Sequence, residues 1–166
     1  MRIVRQAVLI GVSLALSLGV QSKEVTDAAQ FIKASPASDS IEFKSTKRNQ
    51  SAEYCPDNTC EVVRARGSVS AAEFKKFYAA YLFYVSSYNY LTNWRADNEA
   101  QSQARDILSS LKGNSCGASS ADYVKCSLKT FIQKNGVTGS FVRHDEGTKG
   151  ATAFSPLEEV AKSQSK

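Results

Sequence analysis

Residues 77–94, FYAAYLFYVSSYNYLTNW, constrain the fold more than any other stretch, because they carry no charge and include eight aromatic side chains. A membrane span needs about twenty mostly aliphatic residues, whereas this stretch contains Ser, Asn, Thr and several Tyr. The segment Ser70–Glu73 matches a capping box, in which a Ser at the start of a helix is followed three residues later by Glu. We therefore predict a buried helix from Ala71 to about Trp94.

At about 100° per residue, this helix has two apolar faces. The first face is expected to lie in the core and consists of Phe74, Phe77, Tyr78, Tyr81, Tyr84, Val85 and Tyr88. The second face holds Phe83, Tyr90 and Trp94. A helix that is apolar all round is usually buried, which favours the core here too, but Tyr and Trp are also enriched at binding anchors. Phe83, Tyr90 and Trp94 are therefore the candidate binding residues should this face be exposed.

The N-terminus has the three-part layout of a secretory signal peptide. Arg2 and Arg5 form a basic start, an apolar run of fourteen residues ends at Val20, and a cleavage pattern surrounds Ser22. An uncleaved anchor is the alternative, but the run is short for a span. We predict export to the periplasm or out of the cell, with residues 1–22 removed and no stable membrane span left.

Removal of Arg2 and Arg5 with the signal lowers the formal net charge from +5 to +3. Domains that grip nucleic acid usually concentrate a larger excess of Lys and Arg on one face, so nucleic acid is not an expected partner. About 144 residues remain, enough for a single domain with one core.

Four cysteines in an exported chain predict two disulfide bonds. Sequence alone allows three connectivities, and we favour Cys55–Cys60 and Cys116–Cys126 because both pairs are local and separated by turn residues. Zinc sites and redox pairs usually show CxxC spacing, which is absent here, and a bonded cysteine is no nucleophile. The cysteines are expected to be structural.

The remaining periodicity predicts two further principal helices, within Asp97–Lys112 and from Ser119 or Ser120 to Asn135, where Asn135 and Gly136 are expected to stop the second helix. Strand patterns at Ile41–Ser45 and Glu61–Arg64 predict a small antiparallel ribbon. The expected fold is mainly α, with three principal helices and that β-ribbon: an α+β, disulfide-stapled chain. Its expected divisions are a flexible N-terminal segment at 23–40, a single globular domain at 41–162 and a frayed tail at 163–166.

Candidate chemistry is sparse. His144 and Glu146 share one face of an extended segment and are the candidates for a small cell-envelope hydrolase, although no nucleophile or metal motif accompanies them. No catalytic, metal or cofactor site is therefore assigned. A separate basic patch is predicted from cations that would face a partner or solvent: Lys44, Lys47, Arg48, Arg64 and Arg66.

An export signal, a helix reading YLFYVSSYNYL, the loop cysteine Cys116 and a helix around ADYVKCSLKTFI occur in this order. This layout, over roughly residues 55–135, resembles small exported helical proteins that serve as periplasmic immunity proteins in type VI secretion systems. The resemblance implies a non-enzymatic, disulfide-stapled protein that blocks a toxin directed at the cell wall. The expected function is thus steric inhibition of another protein, with a structural envelope role as a further alternative.

Overall fold

A computed structural model describes residues 28–34, 38–56, 59–86, 98–117, 122–143, 151–153 and 155–162. The helices within these residues are α1 (Ala28–Ala34), α2 (Ala71–Ser86), α3 (Asn98–Ser109), α4 (Tyr123–Lys134) and α5 (Ser155–Lys162), with a 3₁₀ turn at Ser38–Ser40. The strands are β1 (Ile41–Ser45), β2 (Asn49–Tyr54), β3 (Thr59–Arg66), β4 (Thr138–Arg143) and β5 (Ala151–Ala153). The chain is α+β and carries two disulfides.

The strands form one antiparallel sheet in the order β1-β2-β3-β4-β5. This sheet is larger than the ribbon expected from the sequence, because β2 lies between the two predicted strands, and β4 and β5 extend the sheet beyond β3. Helices α2, α3 and α4 lie between β3 and β4 in the chain, yet these strands are neighbours in the sheet. The β3–β4 pairing is therefore a long-range contact that joins the segments before and after these three helices.

The sheet packs one face on the helices; on its other face, Arg64 and Arg66 are exposed at one end of β3, whereas Cys60 and Val62 are buried. In β3, Glu61, Val63 and Ala65 are fully buried, whereas Arg64 and Arg66 point to the other face and are exposed. Side chains alternate between the two faces of a strand, so this pattern marks the face that packs on the helices. Tyr78 of α2 meets Phe43 of β1 edge-on there, with ring centroids 5.6 Å apart.

Helix α2 is the central element, and residues 77–85 are all buried. On the side away from the sheet, Phe77 stacks on Phe131 of α4 at a centroid distance of 4.5 Å. The predicted capping box is present: the Glu73 backbone N–H donates to Ser70 Oγ at 3.2 Å, and the Ser70 N–H donates to the Glu73 carboxylate at 3.4 Å. The expectation of a helix buried between a sheet and other helices is confirmed for Ala71–Ser86.

Residues 87–97, which the sequence places partly in the same helix, lie outside the described residues, as do the signal segment and residues 163–166. None of the described helices combines the length and apolarity needed to cross a bilayer. Helix α1 falls in the segment expected to be flexible, and its Phe31 is buried. Helix α1 therefore contributes to the core.

Candidate functional site

Of the three candidate binding residues on the second helix face, Phe83, Tyr90 and Trp94, only Phe83 lies within the described residues. Phe83 is only 4% exposed and lies against Phe31 of α1, with ring centroids 3.5 Å apart. Phe83 thus belongs to the core, as favoured for a helix that is apolar on all sides. Tyr90 and Trp94 lie outside the described residues, so their role in binding stays a prediction.

Both favoured disulfide pairings are present, as Cys55–Cys60 and Cys116–Cys126. The first joins the end of β2 to the start of β3 and clamps that hairpin. Glu53 lies beside it, and ligand atoms of Glu53, Cys55 and Cys60 fall within 4.8 Å of one another. Because the two sulfurs are bonded to each other, neither is a thiolate that could hold a metal ion.

The second disulfide fixes the loop between α3 and α4. The Asn114 side chain supports the same loop: its amide donates to Ser127 Oγ at 2.8 Å and to the Tyr123 hydroxyl at 3.0 Å, while its oxygen accepts from the Cys116 N–H at 3.1 Å. Covalent and hydrogen-bonded restraints therefore act together in the helical layer. The other predicted chemical pair, His144 and Glu146, lies outside the described residues.

The predicted basic patch separates into two kinds of cation. Lys44 has acidic neighbours on its own sheet face: its Nζ lies 3.2 Å from Glu42 and 3.5 Å from Glu53. The hydrogen bond to Glu42 raises the pKa of Lys44 most, and the negative charges of Glu42 and Glu53 and the hydrogen bond to Glu53 raise it further. Lys44 is therefore already compensated within the chain.

The other four cations of the basic patch have no such compensation from the residues that the structure describes. Within the described part of the chain, no carboxylate lies at ion-pair distance from Lys47, Arg48, Arg64 or Arg66. All four side chains are exposed. Such a cluster concentrates positive potential at one end of the sheet, where it attracts anionic groups.

Three of these cations line an open groove of about 620 Å³, bounded by residues 47–49 and 66–68. The walls are the turn between β1 and β2 and the connection from β3 to α2. Gly67 adopts a positive φ of 110°, a backbone conformation that favours glycine. Its N–H donates to the Arg48 carbonyl at 3.0 Å, which ties the two walls together.

The far side of the groove is anchored to the helices. The Arg66 N–H donates to the Asn135 carbonyl at 2.8 Å, at the C-terminal end of α4. Gly136 follows with a positive φ of 55°, in agreement with the helix stop predicted from Asn135 and Gly136. The groove, which we call the basic groove, is thus held by sheet and helix together.

Sequence reasoning missed one unusual residue, Glu61. Its carboxyl is fully buried between β3 and α2. Burial raises its pKa from 4.5 to about 8, and the Tyr81 hydroxyl moderates this rise. The carboxyl is therefore mainly neutral at pH 7.

The hydroxyls of Tyr78 and Tyr81, both on α2, share this buried environment. The pKa of Tyr78 is raised well above its ordinary value, first by burial and then by the nearby Glu61 and Tyr54.

Alternation along β3 carried a signal for the position of Glu61, because the residue is in phase with Val63 and Ala65 and out of phase with Arg64. With no access from solvent, this buried polar group affects stability rather than binding.

No protein-family model matches the chain, and neither a curated protein nor a solved structure is significantly similar to it. Functional inference therefore rests on the residues themselves.

Proposed function

We propose that this chain is an exported, non-enzymatic protein that binds another protein and blocks it sterically. The observation that carries the proposal is a group of exposed cations at one end of the sheet that have no carboxylate partner among the described residues: Lys47, Arg48, Arg64 and Arg66. Cations without intramolecular partners leave their charge available to another molecule, and complementary charge speeds and orients protein association. This surface is the proposed contact region.

The scaffold suits steric block because the contact region is pre-organised. The Gly67 N–H to Arg48 carbonyl bond and the Arg66 N–H to Asn135 carbonyl bond hold this end of the sheet in place, and the buried face of the β2–β3 hairpin packs on α2. A surface that is already rigid loses less conformational entropy when a partner docks. Two disulfides also fit the export expected from the N-terminal sequence.

Within this class, we favour a periplasmic immunity or inhibitor protein. The support is the resemblance in layout to type VI immunity proteins, together with the uncompensated cations. In this proposal the sheet face covers the partner's active site or its substrate entrance, and no covalent chemistry is required.

Capture and inhibition test the proposal. The mature chain, immobilised through its C-terminus, is used to retain proteins from a bacterial envelope extract, and the retained protein is identified by mass spectrometry and purified. We expect a stoichiometric complex in light scattering and loss of the partner's activity on titration with the mature chain. Retention of no protein, or a complex that leaves the partner fully active, would contradict the proposal.

A matched pair of variants locates the contact. Arg64→Glu reverses an exposed charge on the sheet, whereas Lys33→Glu reverses the charge of an exposed residue on α1. We expect Arg64→Glu to slow association and weaken the complex about tenfold, with Lys33→Glu close to wild type. Equal effects would assign the dependence to net charge rather than to this face.

A further inference from the structure

We infer that the basic groove binds a compact cluster of carboxylates, presented by an acidic segment of the partner protein. This inference rests on the proposed function and adds the chemistry of the partner's contact. Its central feature is a concave surface lined by Lys47, Arg48 and Arg66, with Asn49 and Ser68 between them.

The charged side chains of the groove are all hydrogen-bond donors. Lys47, Arg48 and Arg66 donate only, and two backbone acceptors on the groove wall are already occupied. The Arg48 carbonyl accepts from the Gly67 N–H at 3.0 Å, and the Asn49 carbonyl accepts from the Thr46 N–H at 2.9 Å. The backbone N–H groups of Asn49, Arg66 and Gly67 are likewise already donating, to Thr46 Oγ1 and to the Asn135 and Arg48 carbonyls. A ligand that enters the groove therefore meets chiefly the positive charge of the three side chains, which attracts an anion.

Size and composition favour carboxylate side chains. A groove of about 620 Å³ accommodates several side-chain-sized groups. Two of its three cations are arginines, whose planar guanidinium groups pair with carboxylates through two parallel hydrogen bonds. Several carboxylates on one short peptide segment match this arrangement.

Acidic residues on the same sheet disfavour an extended anionic ligand. Glu42 and Glu53 lie on the exposed face with Lys44, and Glu53 is four residues along β2 from Asn49. At about 3.3 Å per residue, that separation is about 13 Å. A long polyanion or an anionic membrane lying across this face would meet these carboxylates, whereas a compact cluster in the groove avoids them.

Fluorescence anisotropy with a labelled oligoglutamate peptide tests the inference on the full mature chain. Inorganic polyphosphate and phosphatidylglycerol vesicles are measured alongside as phosphate-bearing alternatives. We expect the peptide to bind more tightly than either alternative, with an affinity that falls as salt rises. The double variant Arg48→Glu/Arg66→Glu should weaken peptide binding at least about tenfold.

The matched control is Lys33→Glu/Lys112→Glu, which changes net charge equally at exposed positions outside the groove. Its peptide affinity should stay within about twofold of wild type. Circular dichroism and urea unfolding confirm that both double variants are folded. The inference is overturned if polyphosphate or vesicles bind more tightly than the peptide, if the two double variants behave alike, or if the peptide does not bind.

The purified partner separates this inference from the proposed function. If the partner forms its inhibitory complex with wild type and with Arg48→Glu/Arg66→Glu equally well, the groove assignment fails while the function stands. If no partner is inhibited although the peptide binds as expected, the function fails while the anion chemistry of the groove stands.

Discussion

Glu61 and Arg64 lie three residues apart on β3, yet the carboxyl is fully buried under α2 whereas the arginine side chain is exposed. On the buried face, loss of water disfavours the charged form, so Glu61 holds its proton up to a pH of about 8. On the exposed face, cations stay hydrated at little cost to folding. The comparison shows that positions three residues apart on one strand impose very different costs on a charged side chain.

The largest expected effect comes from a second acid on the buried face. Val63→Asp places an uncompensated carboxyl at a fully buried position, whereas Arg64→Asp places the same side chain at the next, exposed position. We expect Val63→Asp to lower the free energy of unfolding by at least about 4 kcal/mol. Arg64→Asp should change it by less than about 0.5 kcal/mol. Urea unfolding at pH 7 measures both.

If Val63→Asp does not fold, Val63→Thr provides a graded version of the same test. This nearly isosteric change buries one hydroxyl and should cost about 1–3 kcal/mol. Similar losses of unfolding free energy at positions 63 and 64 would contradict the expected difference in burial between these two positions.

The pH dependence of stability tests the burial of the Glu61 carboxyl. The folded state keeps Glu61 protonated up to about pH 8, while the unfolded chain ionises near 4.5. Its stabilising contribution is therefore complete below about pH 4.5 and is lost as the pH rises towards 8.

Glu61→Gln removes this titration with little change in size. Relative to that variant, we expect the folding equilibrium constant of wild type to fall roughly a hundredfold between pH 5 and pH 7. Urea unfolding across this range gives the difference, in which the contributions of other titrating groups cancel. Parallel stability curves would show that the Glu61 carboxyl is not buried in the folded state.

The Cys55–Cys60 bridge, which joins the end of β2 to the start of β3, has a smaller expected effect. Replacing Cys55 and Cys60 together with Ser opens a short loop, which should lower the free energy of unfolding by about 2 kcal/mol. The basic groove lies at the opposite end of the six-residue strand β2, about 20 Å away. Peptide affinity should therefore be unchanged while the variant is folded.

The double replacement of Cys116 and Cys126 with Ser is the control, because it opens a loop in the helical layer instead. It too should spare peptide affinity. A large loss of affinity in the Cys55/Cys60 variant alone would mean that the clamp shapes the groove from the far end of the hairpin.

Local patterns account for what could be predicted. The capping box before α2, the two short-range disulfides and the stop at Gly136 each depend on neighbours in the chain, and the structure contains all of them. Strand β2 was missed because NQSAEY contains few residues typical of strands. It is held by pairing with β1 and β3, which the local sequence does not encode.

The candidate site was predictable only in its residue types. The sequence predicted the basic patch as one group of cations. The separation of Lys44 from the other cations depends on cross-strand geometry, which places Glu53 beside Lys44. The same geometry leaves Lys47 without an acidic neighbour in the described chain. Burial of Glu61 likewise depends on which side of β3 receives α2. Both features require the sheet to be assembled before they can be recognised.

The smallest expected effect tests that division of the cations. Lys44→Met and Lys47→Met each remove one exposed positive charge, but Lys44 is paired with Glu42 and Glu53 while Lys47 lines the groove. We expect Lys47→Met to weaken oligoglutamate binding about threefold. Lys44→Met should leave both the affinity and the urea midpoint unchanged within error, because its charge is compensated and its ion pairs are exposed. An equal loss of affinity in both variants would show that the peptide responds to net charge, and the basic groove would then lose its separate role.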